Sequence, residues 1–146
     1  MTTVNHSLTG ALISTVLPLP LAAPLAVASH FVLDALPHYS VPGHTRHKAT
    51  FWKWILAIDI LASVALVFWA IYNQHYAMLI CGLLAFAPDV VWVKRAAKTR
   101  SFDFSDTASR YEQWHMRIQK HEFPKGLWIE VPLAALLFYI VVIKIG

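Results

Sequence analysis

Residues 8–38, "LTGALISTVLPLPLAAPLAVASHFVLDALPH", decide how this chain folds. The stretch is apolar and long enough to cross a bilayer, for which ~20 residues cover ~30 Å of hydrocarbon. Yet Pro18, Pro20 and Pro24 sit at its centre. A proline removes a helical hydrogen bond and clashes with the preceding turn, so three within seven residues should break a straight helix. The spacing predicts two short helices, roughly 4–16 and 24–36, joined by a proline-rich turn. Such a re-entrant hairpin dips into the bilayer and returns; a kinked single span is the alternative.

Three apolar runs follow: "FWKWILAIDILASVALVFWAIY" at 51–72, "YAMLICGLLAFAPDVVWV" at 76–93 and "LWIEVPLAALLFYIVVIKI" at 127–145. Each is near span length. Trp52, Trp54, Trp92 and Trp128 lie at or near run ends, where aromatic belts form. The 146 residues are 58% hydrophobic and 14% charged. Soluble domains are nearer half apolar and a quarter charged, so the balance points to lipid, and the length to one domain, 1–146. "MTTVNHS" has no Lys or Arg and so lacks the basic start of a secretory leader, and the first apolar stretch is read as part of the fold. The single cysteine, Cys81, excludes an internal disulfide and reads as a small buried hydrophobe.

The net charge of +4 is concentrated in two loops. Arg46 and Lys48 lie in 39–51, and Lys94, Arg95, Lys98, Arg100, Arg110, Arg117, Lys120 and Lys125 in 94–126, whereas 73–75 has no Lys or Arg. This pattern reads as membrane orientation rather than nucleic-acid binding: both basic loops face the cytoplasm and 73–75 faces out. The hairpin reading then puts the N-terminus inside and the C-terminus outside. Within the longer loop, "SDTASRYEQWHMRIQKHEF" predicts an interfacial helix over 106–122, with Ser105 or Asp106 as N-cap and Pro124 beyond its end. The expected architecture is an all-α integral membrane protein with a re-entrant or kinked helix pair, three spans and one interfacial helix.

Against that background the polar residues stand out. Asp59 lies about two turns into the 51–72 run, Asp89 one turn from the cytoplasmic end of the next, and Glu130 one turn into the last. His30, Asp34 and His38 end the hairpin's second arm, and His6 returns to the same level if the hairpin forms. At ~1.5 Å per residue all fall within ~10–12 Å of the cytoplasmic boundary. Intramembrane carboxylates cost ~2.5–3.5 kcal/mol each even on mild insertion scales. The bland reading is helix-end residues snorkelling to water or pairing with Lys53, Lys94 and Arg95, and for Glu130 that reading stays open. For the aspartates and histidines together, positive charge within the runs is too scarce, and histidine beside carboxylate invites a metal.

"SHFVLDALPH" places His30 and Asp34 at i and i+4, on one helix face where they share an ion. On a straight helix His38 would lie ~12 Å from His30, but Pro37 disfavours a helical Leu36, so His38 is carried on a turn that folds back or holds a second ion. Asp34, Asp59 and Asp89 are expected to face one centre. In the loop helix, Glu112, His115, Gln119 and Glu122 form a polar stripe. Gln119 and Glu122 read as its wet face. His115 reads as a ligand, with Glu112 as its partner or as a general base.

An early histidine in "NHSLTG", the "PD" at 88–89 and "SHFVLDALPH" together resemble the membrane-bound metal-dependent hydrolases of the YdjM-like type. "HFVLDALPH" is also similar to a helix motif of zinc-dependent phospholipase C and P1 nuclease, soluble all-helical enzymes that use a zinc cluster to hydrolyse phosphoesters. The resemblance implies His6, His30, Asp34, His38 and Asp89 as metal ligands, with Asp59 and His115 as additions; Asp34 and Glu112 are the residues expected in catalytic roles. The function expected is metal-dependent hydrolysis at the cytoplasmic membrane face, on a phosphoester of a lipid or amphiphile. Two or three divalent ions would serve it, zinc favoured over manganese or iron. A di-iron oxidoreductase is a rival, because Glu112-x-x-His115 matches one element of such sites. A metal-ion carrier or membrane scaffold is another. The sequence carries no signal of oligomeric state.

Overall fold

The structure, a computed structural model, describes residues 1–41, 50–99 and 108–145. Helices α1 (Thr3–Val16) and α2 (Leu19–Asp34) are joined by Leu17 and Pro18, both extended. His6, near the start of α1, stacks on His30, near the end of α2, with ring centroids 4.1 Å apart, so the pair folds back on itself. The prolines act differently from expectation. Pro18 caps α2 and Pro20 occupies its first turn, where a missing N–H costs nothing. Pro24 lies inside the helix, which starts at Leu19 rather than near 24. Its absent N–H would have bonded only to Pro20 in that first turn. Pro37 does have the expected effect: α2 ends at Asp34, ahead of the residue that proline restricts.

A short strand, β1 (His38–Tyr39), leads towards α3 (Thr50–Tyr72). The next apolar run is not one regular helix. It comprises α4 (Tyr76–Phe86), a 3₁₀ turn over Ala87–Asp89 and α5 (Val90–Thr99). Pro88 supplies the reason, because it denies the ladder an N–H. Helix α6 (Arg110–Ile118) follows, then β2 (Glu122–Phe123), a 3₁₀ turn over Pro124–Gly126 and α7 (Leu127–Ile145).

Three helical stretches, Thr50–Tyr72, Tyr76–Lys98 and Pro124–Lys144, are long and apolar enough to cross a membrane. They turn large apolar side chains outward, among them Trp54, Leu61, Phe68, Trp128 and Phe138. Polar residues lie inside instead: Asn5, His6, His30, Asp34, Asp59, His115 and Glu130 are buried. Such an inside-out distribution suits an apolar surround.

The shorter α1 is the centre of the bundle, packing on α2, α3, α4 and α7. Small residues make this possible. A Cβ added at Gly10 would overlap the carbonyl of Cys81, and one at Gly82 would come within 3.1 Å of the Ser7 carbonyl. Ala22, Ala26, Cys81 and Ala85 are fully buried together between α2 and α4. Side chains this small let helix backbones approach closely.

Two elements depart from the expected all-α plan. The loop helix is shorter than 106–122: Ser109 caps it, and it stops at Ile118. The anticipated caps Ser105 and Asp106 lie outside the described residues. Beyond it, β1 and β2 pair in parallel, His38 with Glu122 and Tyr39 with Phe123. Pro37 and Pro124 flank this bridge and prevent either segment from continuing as helix. Gly126 closes over it, where any Cβ would overlap the His38 backbone.

Candidate metal centre

Four ligand-bearing residues meet where α2, the 3₁₀ turn and α6 converge. Ligand atoms of His30, Asp34, Asp89 and His115 all lie within 4.8 Å of one another. His30 and Asp34 come from adjacent turns of α2, as their i, i+4 spacing requires, with Nε2 3.1 Å from Oδ2. The break at Pro88 aims Asp89 at the same point, its Oδ1 3.6 Å from His30 Nε2. Helix α6 supplies His115, whose Nε2 lies 2.8 Å from Asp34 Oδ2. His6 arrives from α1 stacked on His30, its Nε2 3.2 Å from Asp34 Oδ1 and 3.9 Å from Asp89 Oδ2.

The two carboxylates are thus divided in the same sense. Asp34 turns Oδ1 to His6 and Oδ2 to His30 and His115. Asp89 turns Oδ2 to His6 and Oδ1 to His30 and His115. Each carboxylate thus offers one oxygen towards His6 and the other towards the His30–His115 pair, and Asp34 Oδ1 also holds the Met1 amine.

The imidazoles are set for coordination. His30 Nδ1 lies 2.8 Å from the Ala85 carbonyl, a partner that assigns the ring proton to Nδ1. In the neutral ring Nε2 then carries a lone pair, and it points at His115 Nε2, 3.1 Å away, and at Asp34. Electron pairs converging this closely are stabilised only by a proton or a cation. His115 Nδ1, both nitrogens of His6 and Asp89 Oδ1 are buried without a hydrogen bond among the described residues. Aromatic rings surround the cluster: Trp92 and Tyr111 lie 5.5 and 5.7 Å from His115, and Phe31 5.1 Å from His30. They lower the local dielectric and strengthen every charge interaction inside. Asp34 also accepts from the Met1 amine and from Gln119 Nε2, at 2.7 and 2.8 Å.

Three anticipated site residues are placed elsewhere. Asp59 does not join Asp34 and Asp89. Its two oxygens accept the Thr3 and Val4 N–H groups, at 2.9 Å each, and cap the positive end of α1. His38 is buried in the β-bridge, with Nδ1 2.7 Å from the Leu36 carbonyl and Nε2 3.5 Å from Glu122, and is not among the four residues whose ligand atoms meet. Glu112 does not support His115. It closes a capping box with Ser109 and pairs with Arg95 at 2.9 Å. Burial raises the Glu112 carboxyl, but the Ser109 hydrogen bonds and the Arg95 guanidinium outweigh it and hold it below its ordinary value.

Other residues gain roles that the sequence reading missed. Gln119, read as wet surface, donates to Asp34, and its place four residues after His115 was the available signal. Glu130, left open, accepts from the N–H groups of Thr2 and Tyr39 at 2.9 and 2.6 Å, tying α7 to α1 and β1. Asn5 Nδ2 donates to the Glu130 carbonyl beside it. Compared with protein-family models, with curated proteins and with solved structures, the chain matches none.

Proposed function

We propose that the chain is an integral membrane protein of the YdjM-like type that holds two divalent ions and hydrolyses a phosphoester of a lipid or amphiphile. In this reading the three long apolar helices span the inner membrane, α1 and α2 form a re-entrant pair, and the site faces the cytoplasm. The basic loops and the outward apolar faces support that placement.

The observation that carries the metal reading is the split of the two carboxylates. Asp34 and Asp89 each turn one oxygen to His6 and the other to His30 and His115. One ion would sit with His30 and His115, the second with His6. A mixed imidazole and carboxylate set favours zinc over manganese or iron. Ions in such a site supply an activated water near neutral pH and polarise a phosphoryl or carbonyl oxygen. The chain's own part is orientation. Ala85 fixes the His30 tautomer, Gln119 holds Asp34, and the aromatic shell limits water. With Glu112 engaged by Ser109 and Arg95, the Glu-x-x-His element of a di-iron site is not assembled, and hydrolysis is preferred to oxidation.

Elemental analysis of detergent-purified protein tests this. Two divalent transition ions per chain are expected, one lost in His6→Ala and more in His30→Ala or Asp34→Ala. Metal at background in the wild type, or unchanged in all three variants, would end the hydrolase reading.

A further inference from the structure

Beside the cluster, α3 and α5 turn matching stripes to one cavity. Trp52, Ile55, Leu56 and Asp59 recur at i, i+3, i+4 and i+7 on a single face of α3, and all four line it. Across from them Asp89, Trp92 and Val93 repeat the i, i+3, i+4 spacing through the 3₁₀ turn into α5. The cavity, open on one side, measures about 240 Å³, where roughly 10–15 Å³ admits one water. Indole and aliphatic side chains of α3 and of the amphipathic α5 form its apolar walls, whereas Asp59, Asp89, His38, Gln119 and Glu122 give it a polar boundary. Two buried polar atoms there, Asp89 Oδ1 and His38 Nε2, make no hydrogen bond among the described residues. Asp89 belongs to both the cavity and the metal cluster.

A small polar substrate would need the acidic boundary and the ions, but not two facing apolar stripes. We propose that this cavity seats an amphiphile, with its head group at the Asp89 side of the cluster and the first part of its chain between the stripes of α3 and α5. The phosphate chemistry of the head group rests on the function proposed above. The chain-binding stripes do not.

The test uses metal-loaded full-length protein in maltoside micelles, photolysed with dodecyl phosphate that carries a diazirine on its fourth carbon. Adducts located by mass spectrometry are expected at Trp52, Ile55, Leu56 or Trp92, reduced at least ten-fold by excess unlabelled dodecyl phosphate. Adducts confined to the outward residues Trp54 and Ile58, which are 65% and 59% exposed, or labelling that excess ligand does not suppress, would overturn the assignment. Leu56→Trp fills the space and should lower labelling on α5 at least ten-fold with metal content unchanged; undiminished labelling counts against the cavity. Because hydrolysis is not the readout, an inactive protein labelled on these stripes would sink the hydrolase reading and leave the binding site standing.

Discussion

Asp59 shows how one carboxylate can brace a candidate metal centre without joining it. Its oxygens hold the first two amides of α1, and His6 follows Val4 by two positions on the same helix. In Asp59→Asn the side-chain oxygen keeps one amide, while the new NH₂ faces the other N–H. Losing a charged hydrogen bond of this kind costs roughly 1.5–3 kcal/mol. The expected outcome is a folded protein of unchanged metal stoichiometry that releases metal to a chelator faster. A loss of stoichiometry as deep as in Asp34→Ala would instead make Asp59 a ligand. Depth in the bilayer, read from the sequence, brought Asp34, Asp89 and Asp59 to one level. It carried no information on what else at that level competes for a carboxylate, and the exposed start of α1 is created only when the hairpin packs. Glu112 was more legible. "SRYE" at 109–112 is a capping-box pattern, and reading Ser105 or Asp106 as the cap hid it.

At the scale of elements, close helix approach positions the His30 ring. Ala85 offers its carbonyl to Nδ1 because the alanines and Cys81 between α2 and α4 leave the backbones almost in contact. Gly10 does the same for α1 against α4. Gly10→Ala should therefore lower stability by about 1–3 kcal/mol, the usual cost of overpacking, seen as an earlier thermal transition in detergent together with weaker metal retention. An unchanged transition would mean that α1 and α4 lie further apart than described. The hairpin was legible from its three prolines, but the start of α2 was not, since a proline's cost depends on which carbonyl loses its partner. The 3₁₀ turn at 87–89 was likewise hidden inside a run that hydropathy treats as uniform.

For the molecule as a whole, hydropathy marked the three long helices, because a stretch able to cross a membrane must stay apolar over its full length. Orientation is open to direct test. A cysteine at position 3 should react with an impermeant thiol reagent only from the cytoplasmic side, and one at position 74 only from outside, with native Cys81 silent because it is buried. Reaction of position 3 from outside would make the α1–α2 pair a crossing rather than a re-entrant hairpin. The β1–β2 bridge had no local signature, since two paired residues leave no period to detect. Its presence bears on the entropy of assembling the centre. His30 and Asp34 come together as soon as α2 winds, but His115 reaches Asp34 across 81 positions of chain. That closure spans α3, α4 and α5, and bringing together ends so far apart carries a loop-closure entropy cost that the His30–Asp34 pair does not. The bridge ties the segment after α6 to β1, a second link between the two ends of that long loop, and so shares the entropy of holding His115 in place.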